Sequence, residues 1–85
     1  MKNEYFITKD LYVASYLRAS DCALEKTERK DNITFFYFQR TERLDELLSD
    51  YYSTSAVVNP LRYDEALRML RTLSRGEKTL ARMIQ

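Results

Sequence analysis

The chain reads as an α+β domain, a small antiparallel sheet packed with three helices in the order β-α-β-β-α-(β)-α. Three observations lead there. An aromatic run, Ile33-Thr34-Phe35-Phe36-Tyr37-Phe38, follows a turn pair, Asp31-Asn32, which is the pattern of a β-hairpin. Two stretches, around Leu11–Leu17 and Leu44–Tyr51, space their apolar residues for one face of a helix. A third helix is announced by Asn59-Pro60, a capping side chain followed by proline at the first helical position, where its missing N–H costs nothing.

In chain order, Tyr5-Phe6-Ile7 is a short first strand. Thr8 is positioned to cap a helix that begins at Lys9, with Asp10 complementing the positive end of its dipole. That helix runs to about Arg18, with Leu11, Ala14 and Leu17 toward the core and Val13 and Tyr16 widening the buried stripe. Ser20-Asp21 ends it. Cys22 to Lys30 is the first hairpin strand and Ile33 to Phe38 the second. Thr41 caps the second helix, which carries Leu44, Leu47, Leu48 and Tyr51 on one stripe and closes near Tyr52-Ser53. Ala56-Val57-Val58 is extended and is the bracketed short edge strand.

The last segment, Pro60 to Gln85, is predicted as one long helix that continues through Gly76. At about 100° per residue, Arg68, Arg71, Arg75, Lys78 and Arg82 fall in one lengthwise stripe, opposite Ala66, Leu70, Leu73, Leu80 and Ile84. Glycine inside a helix costs about 1 kcal/mol relative to alanine, and Ser74-Arg75-Gly76 could equally cap it. Both stripes stay in phase across Gly76, which favours continuity.

At 85 residues the chain makes a single domain, spanning 1–85, whose modest core either packs economically or is completed by a partner. Hydrophobic residues at 45% exclude disorder even with 32% charged. No apolar run approaches the roughly 20 residues that cross a bilayer, and Met1–Ile7 lacks a secretory h-region, so a cytoplasmic protein with no membrane partner is expected. Cys22 is the only cysteine and there is no histidine, which removes intrachain disulfides and the usual transition-metal sites. Cys22 itself reads as a small buried hydrophobe.

Catalysis lacks its parts. Gly76 is the sole glycine, so no phosphate loop is available, and no histidine base is present. The carboxylate pairs Asp45-Glu46 and Asp64-Glu65 sit adjacent on helices and point to different faces, leaving two-carboxylate metal hydrolysis as the single enzymatic version to keep. No catalytic residue, metal or cofactor is assigned.

Three surfaces remain as binding candidates. Alternation puts Thr34, Phe36 and Phe38 on one face of the sheet and Ile33, Phe35 and Tyr37 on the other, so both faces are aromatic and a two-layer domain buries only one. The other is covered by a helix, covered by another chain, or open. Open aromatics near Lys26 and Arg40 could stack bases, although the strand lacks the glycines and leading basic residue of RNA-recognition sheets. Seven tyrosines suit an interface, because tyrosine supplies area and a polar tip at low entropic cost, while Tyr12, Tyr16, Tyr51 and Tyr63 are also natural at core margins. Phe35, Tyr37 and Tyr52 are taken as the exposed aromatic surface. The basic stripe is either a solvated helix face or a contact for phosphate or carboxylate, and only Glu77 dilutes its sign between residues 68 and 82.

The segments Asp10-Leu11-Tyr12-Val13-Ala14-Ser15-Tyr16-Leu17, Phe36-x-Phe38, Asp50-Tyr51-Tyr52 and Val58-Asn59-Pro60 leading to Tyr63-x-x-Ala66-Leu67 resemble a family of short bacterial and phage proteins of unknown function. The resemblance spans residues 8 to 73. It implies a fold and a mobile-element origin, and it carries no catalytic residues. Lys78 and Arg82 lie beyond it and are expected to be particular to this protein.

Residues from 60 onward carry six basic and three acidic side chains, a charge of +3, which leaves −2 for residues 1–59 of a chain whose total is +1. A domain that coats nucleic acid by charge alone is strongly basic overall, and this one is near neutral. The expectation is therefore a non-catalytic interaction module, phage- or mobile-element-related, that binds a protein partner or self-associates as a homodimer and regulates or inhibits a host system. The alternative is a nucleic-acid-binding accessory protein that uses the arginine stripe.

Overall fold

A computed structural model describes residues 4–74 and bears out the α+β class. The elements are β1 (Tyr5–Thr8), α1 (Leu11–Ala19), β2 (Leu24–Lys30), β3 (Ile33–Gln39), α2 (Glu42–Tyr52) and α3 (Pro60–Ser74). The three strands form an antiparallel sheet ordered β1-β3-β2, so the aromatic strand is central. Its pairing is Phe6 with Phe38 on the β1 side and Thr27 with Phe36 on the β2 side, with a bulge between Leu24 and Lys26.

Alternation along β3 decides the layering. Thr34, Phe36 and Phe38 are buried, and the two phenylalanines join Val13, Ala14, Tyr16 and Leu17 of α1, Leu44 of α2 and Leu70 of α3 in one core. All three helices therefore lie on that face. α1 is the central helix, buried at Val13, Ala14, Ser15, Tyr16, Leu17 and Ala19, and the Ser15 hydroxyl donates to the Leu11 carbonyl at 2.8 Å. α2 buries only Leu44 fully and is held on by side chains as well: the Tyr16 hydroxyl donates to the Leu47 carbonyl (3.1 Å), and Arg43 donates to the Ser20 carbonyl (3.1 Å). α3 is tied near its start and at its last described residue. Arg62 pairs with Asp21 near its start, and at Ser74 the carbonyl accepts from Arg29 of β2 and from the Thr34 hydroxyl of β3.

The chain turns its corners almost without glycine. Asp31 and Asn32 both adopt left-handed backbone (φ 52° and 68°), which makes the two-residue hairpin turn whose twist matches the strands. After α1, Asp21 (φ 70°) lets Asp21 N–H reach the Arg18 carbonyl and Cys22 N–H the Leu17 carbonyl, the paired bonds of a Schellman cap. Thr54 (φ 62°) does the same after α2, with Ser55 N–H on the Asp50 carbonyl.

Several boundaries differ from expectation. Thr8 does not cap α1: it is the last residue of β1, opposite Phe36, and its hydroxyl instead accepts from Asp10 N–H at 3.0 Å. Asp10 is the cap, accepting from Tyr12 N–H (2.9 Å) and Val13 N–H (3.3 Å), so the helix begins at Leu11. β2 starts at Leu24 because Cys22 is committed to closing α1. Ala56-Val57-Val58 forms no strand. The segment joins neither outer edge of the sheet: Val58 packs on the core and Val57 is 86% exposed. Thr41 and Asn59 cap α2 and α3 as predicted, Asn59 accepting from Leu61 N–H (2.9 Å) and Arg62 N–H (3.1 Å). The predicted passage of the last helix through Gly76 to Leu80 and Ile84 lies outside the described residues.

Candidate functional site: the open face of the sheet

No described element covers the second face of the sheet. Register places Tyr5 and Ile7 of β1, Ile33, Phe35 and Tyr37 of β3, and Lys26, Glu28 and Lys30 of β2 on it. Tyr5, Ile7 and Ile33 are 39%, 48% and 39% exposed, and Phe35 and Tyr37 are half-buried by one another and by their cross-strand neighbours. The result is an apolar tract over β1 and β3 with a charged margin along β2.

Tyr37 organises the middle of this face. Tyr5 packs edge-on against its ring (centroids 5.6 Å apart, planes at 80°), and Lys26 Nζ sits 4.7 Å from the ring centroid on the other side. Its hydroxyl donates to Glu28 Oε1 at 2.7 Å, and Lys26 pairs with the same carboxylate at 3.5 Å. The phenol's hydrogen bond holds the Glu28 carboxyl below its ordinary pKa, and the same bond raises the Tyr37 phenol. The aromatic ring is thereby fixed in orientation.

The predicted site residues are only partly brought together. Phe35 and Tyr37 share the open face. Tyr52 does not belong with them: it is on α2, in the helical layer, where it stacks edge-on against Tyr51 (5.3 Å), which in turn packs on Tyr16 (5.3 Å). Tyr52 is separated from the open face by the core itself, because α2 attaches to the sheet through the opposite side. Burial is the main cause of the raised phenol pKa at Tyr16, Tyr51 and Tyr63, in keeping with tyrosines at a core margin. Sequence reasoning missed Tyr5 and Ile7, whose signal was the alternation of β1 itself once that strand is placed beside β3.

Within the basic stripe, Arg68 is exposed but ion-paired with Asp64 one turn earlier, and Arg71 is half-buried on α3. Arg75, Lys78 and Arg82 lie outside the described residues. Both carboxylate pairs are also engaged, Asp45 by Arg40 and Asp64 by Arg68, and among the described residues no group of three or more His, Cys, Asp or Glu side chains converges. Cys22 is buried, and burial pushes its thiol pKa up, which disfavours the nucleophilic thiolate. Among the described helices none is long and apolar enough to cross a membrane.

Fold and face together define a small two-layer α+β domain whose described helices clothe one side of the sheet. Over residues 3–76 the chain matches the family described as Domain of unknown function (DUF5659), and it belongs to that family. The match starts earlier and ends later than the resemblance at 8 to 73, and so takes in β1 and Arg75. No curated protein and no solved structure matches the chain.

Proposed function

We propose that the protein is a non-catalytic interaction module that docks a protein partner on the open face of its sheet. The observation that carries this is the contiguous apolar tract of Tyr5, Ile7, Ile33, Phe35 and Tyr37, formed by paired strands and rimmed by Lys26, Glu28 and Lys30. A contiguous apolar patch with a polar rim is the usual signature of a protein contact, and tyrosine and phenylalanine are the residues such contacts favour. The exposed apolar residues of the helical layer, Tyr12, Tyr52, Val57 and Leu61, come instead from separate segments. A mobile-element origin adds, by analogy, a role as regulator or inhibitor of a host system.

What supports a protein over a nucleic acid is the state of the basic residues. Lys26 is already engaged by Glu28 and Tyr37, Arg68 by Asp64, and the total charge is near neutral. A photo-crosslinking residue placed at Phe35, in the cell that makes the protein, should capture a protein adduct that the same residue at exposed Glu46 does not. Equal adducts from both positions, or none from position 35, would reject the docking face. A salt series with generic DNA and RNA should show no binding that depends on Arg68 and Arg71.

A further inference from the structure

The sheet has two outer edges, and they are built differently. β2 carries Glu25, Lys26, Glu28, Arg29 and Lys30, all exposed, with a bulge at Glu25; charges and bulges of this kind keep an edge from pairing with another strand. β1 is Tyr-Phe-Ile-Thr, with no charge, no proline and no bulge. Its outward backbone groups can be identified. Arg40 N–H bonds the Glu4 carbonyl (3.1 Å), and Gln39 N–H bonds Ala23 on the β2 side (3.1 Å). Alternation of bonded and non-bonded pairs then turns the N–H and C=O of Tyr5 and Ile7 away from β3, to the outer edge. No described residue bonds them there.

We propose that β1 pairs antiparallel with β1 of a second copy, about a two-fold axis through Phe6, to make a continuous six-stranded sheet. The choice of a second copy rests on self-complementarity in three respects. First, with the axis at Phe6, Tyr5 faces Ile7 of the second copy and Ile7 faces its Tyr5, and these are the residues whose backbone groups point outward, so four hydrogen bonds form. Second, residues opposite each other share a face in this register, giving two aromatic–β-branched pairs on the open side, a favourable cross-strand combination. Third, exposed Glu4 precedes β1 and exposed Lys9 follows it, so antiparallel pairing sets Glu4 of each copy opposite Thr8 and one residue from Lys9 of the other. An axis at Ile7 would form only one fully bonded pair, Ile7 with itself, and would place Tyr5 against Lys9.

The dimer joins the two open faces edge to edge, so the tract proposed above doubles in extent. An edge of four residues buries far less than the roughly 800 Å² per partner of a standard interface, which makes the association weak and reversible. It goes beyond the docking face and fails independently of it.

The test is sedimentation equilibrium from low-micromolar to millimolar concentration, together with nuclear Overhauser contacts in a mixture of labelled and unlabelled chains. Mass should rise toward a dimer, with an intermolecular Phe6 Hα–Phe6 Hα contact on the axis. Ile7→Pro, which removes an outward N–H and no intramolecular bond, should weaken dimerisation at least about tenfold. Glu4→Lys should weaken it severalfold, and Glu4→Lys with Lys9→Glu should restore it even if Ile7→Pro fails to fold. A monomer at millimolar concentration overturns the proposal. So does a dimer whose contacts map to Phe35 and Tyr37 instead of Phe6, an outcome that would leave the docking face standing.

Discussion

Phe35 and Phe36 are adjacent in one strand and have opposite surroundings. Phe36 is 1% exposed, sealed between the sheet and α1, whereas Phe35 lies on the face that no described element covers. Strand geometry guarantees that neighbours point to opposite faces, so an aromatic pair in a two-layer domain places one ring where packing needs it and one where packing does not. The covered face accounts for stability. The open face has the same chemistry without that account, and its Tyr5–Tyr37–Glu28–Lys26 arrangement is held together by its own contacts, with no described helix above it.

Substitution at the two phenylalanines is the sharpest way to break this contrast. Phe36→Ala should cost about 3–5 kcal/mol, the loss for a large ring in a sealed core, while Phe35→Ala should cost about 1 kcal/mol or less in urea unfolding. Similar costs would mean that something covers both faces. Arg29→Ala comes next. It removes the guanidinium that links the Ser74 carbonyl to Thr34, and should destabilise by about 1–2 kcal/mol, with hydrogen exchange rising in the last turn described of α3.

Thr54→Gly acts away from both faces and should move stability the other way. A β-branched residue held at φ 62° carries a strain of about 1–2 kcal/mol that glycine does not, so the melting temperature should rise. A fall would show that the Thr54 side chain contributes more than its backbone costs.

The smallest effect belongs to pH. The folded Glu28 pKa is lowered by its bond to Tyr37, so its contribution is present above the ordinary carboxylate pKa and is lost as pH falls through the folded value. The Tyr37 pKa is raised by the same bond, so its contribution is present below the ordinary phenol pKa and is lost as pH rises through the folded value. Tyr37→Phe should return Glu28 upward toward a usual carboxylate in an NMR titration, with little change in stability at neutral pH because both groups are at the surface.

Much of this was legible in the residues alone. The hairpin followed from Asp31-Asn32 between alternating runs, the α3 start from Asn59-Pro60, and the split of β3 into two aromatic faces from period-two alternation. What failed was decided by competition between neighbours. Thr8 had capping chemistry but its backbone was claimed by the ladder to Phe36, and Asp10 took the role. Ala56-Val57-Val58 had strand composition, but Val58 packs on the core beside the helices and the segment pairs with neither outer edge of the sheet. Tyr52 was grouped with Phe35 and Tyr37 by residue type, and only the three-dimensional arrangement shows that the core lies between them. The Arg29 link from β2 to α3 joins residues 45 apart, a separation no local pattern records.

Hydroxyl-radical footprinting of the purified protein and of the protein inside its cell tests the central claim most directly. Ile7, Phe35 and Tyr37 should be modified in isolation and protected in the cell, while Tyr52 and Leu61, exposed on the helical side at 68% and 76%, should be modified in both. Equal modification of the sheet face in the two settings would contradict it.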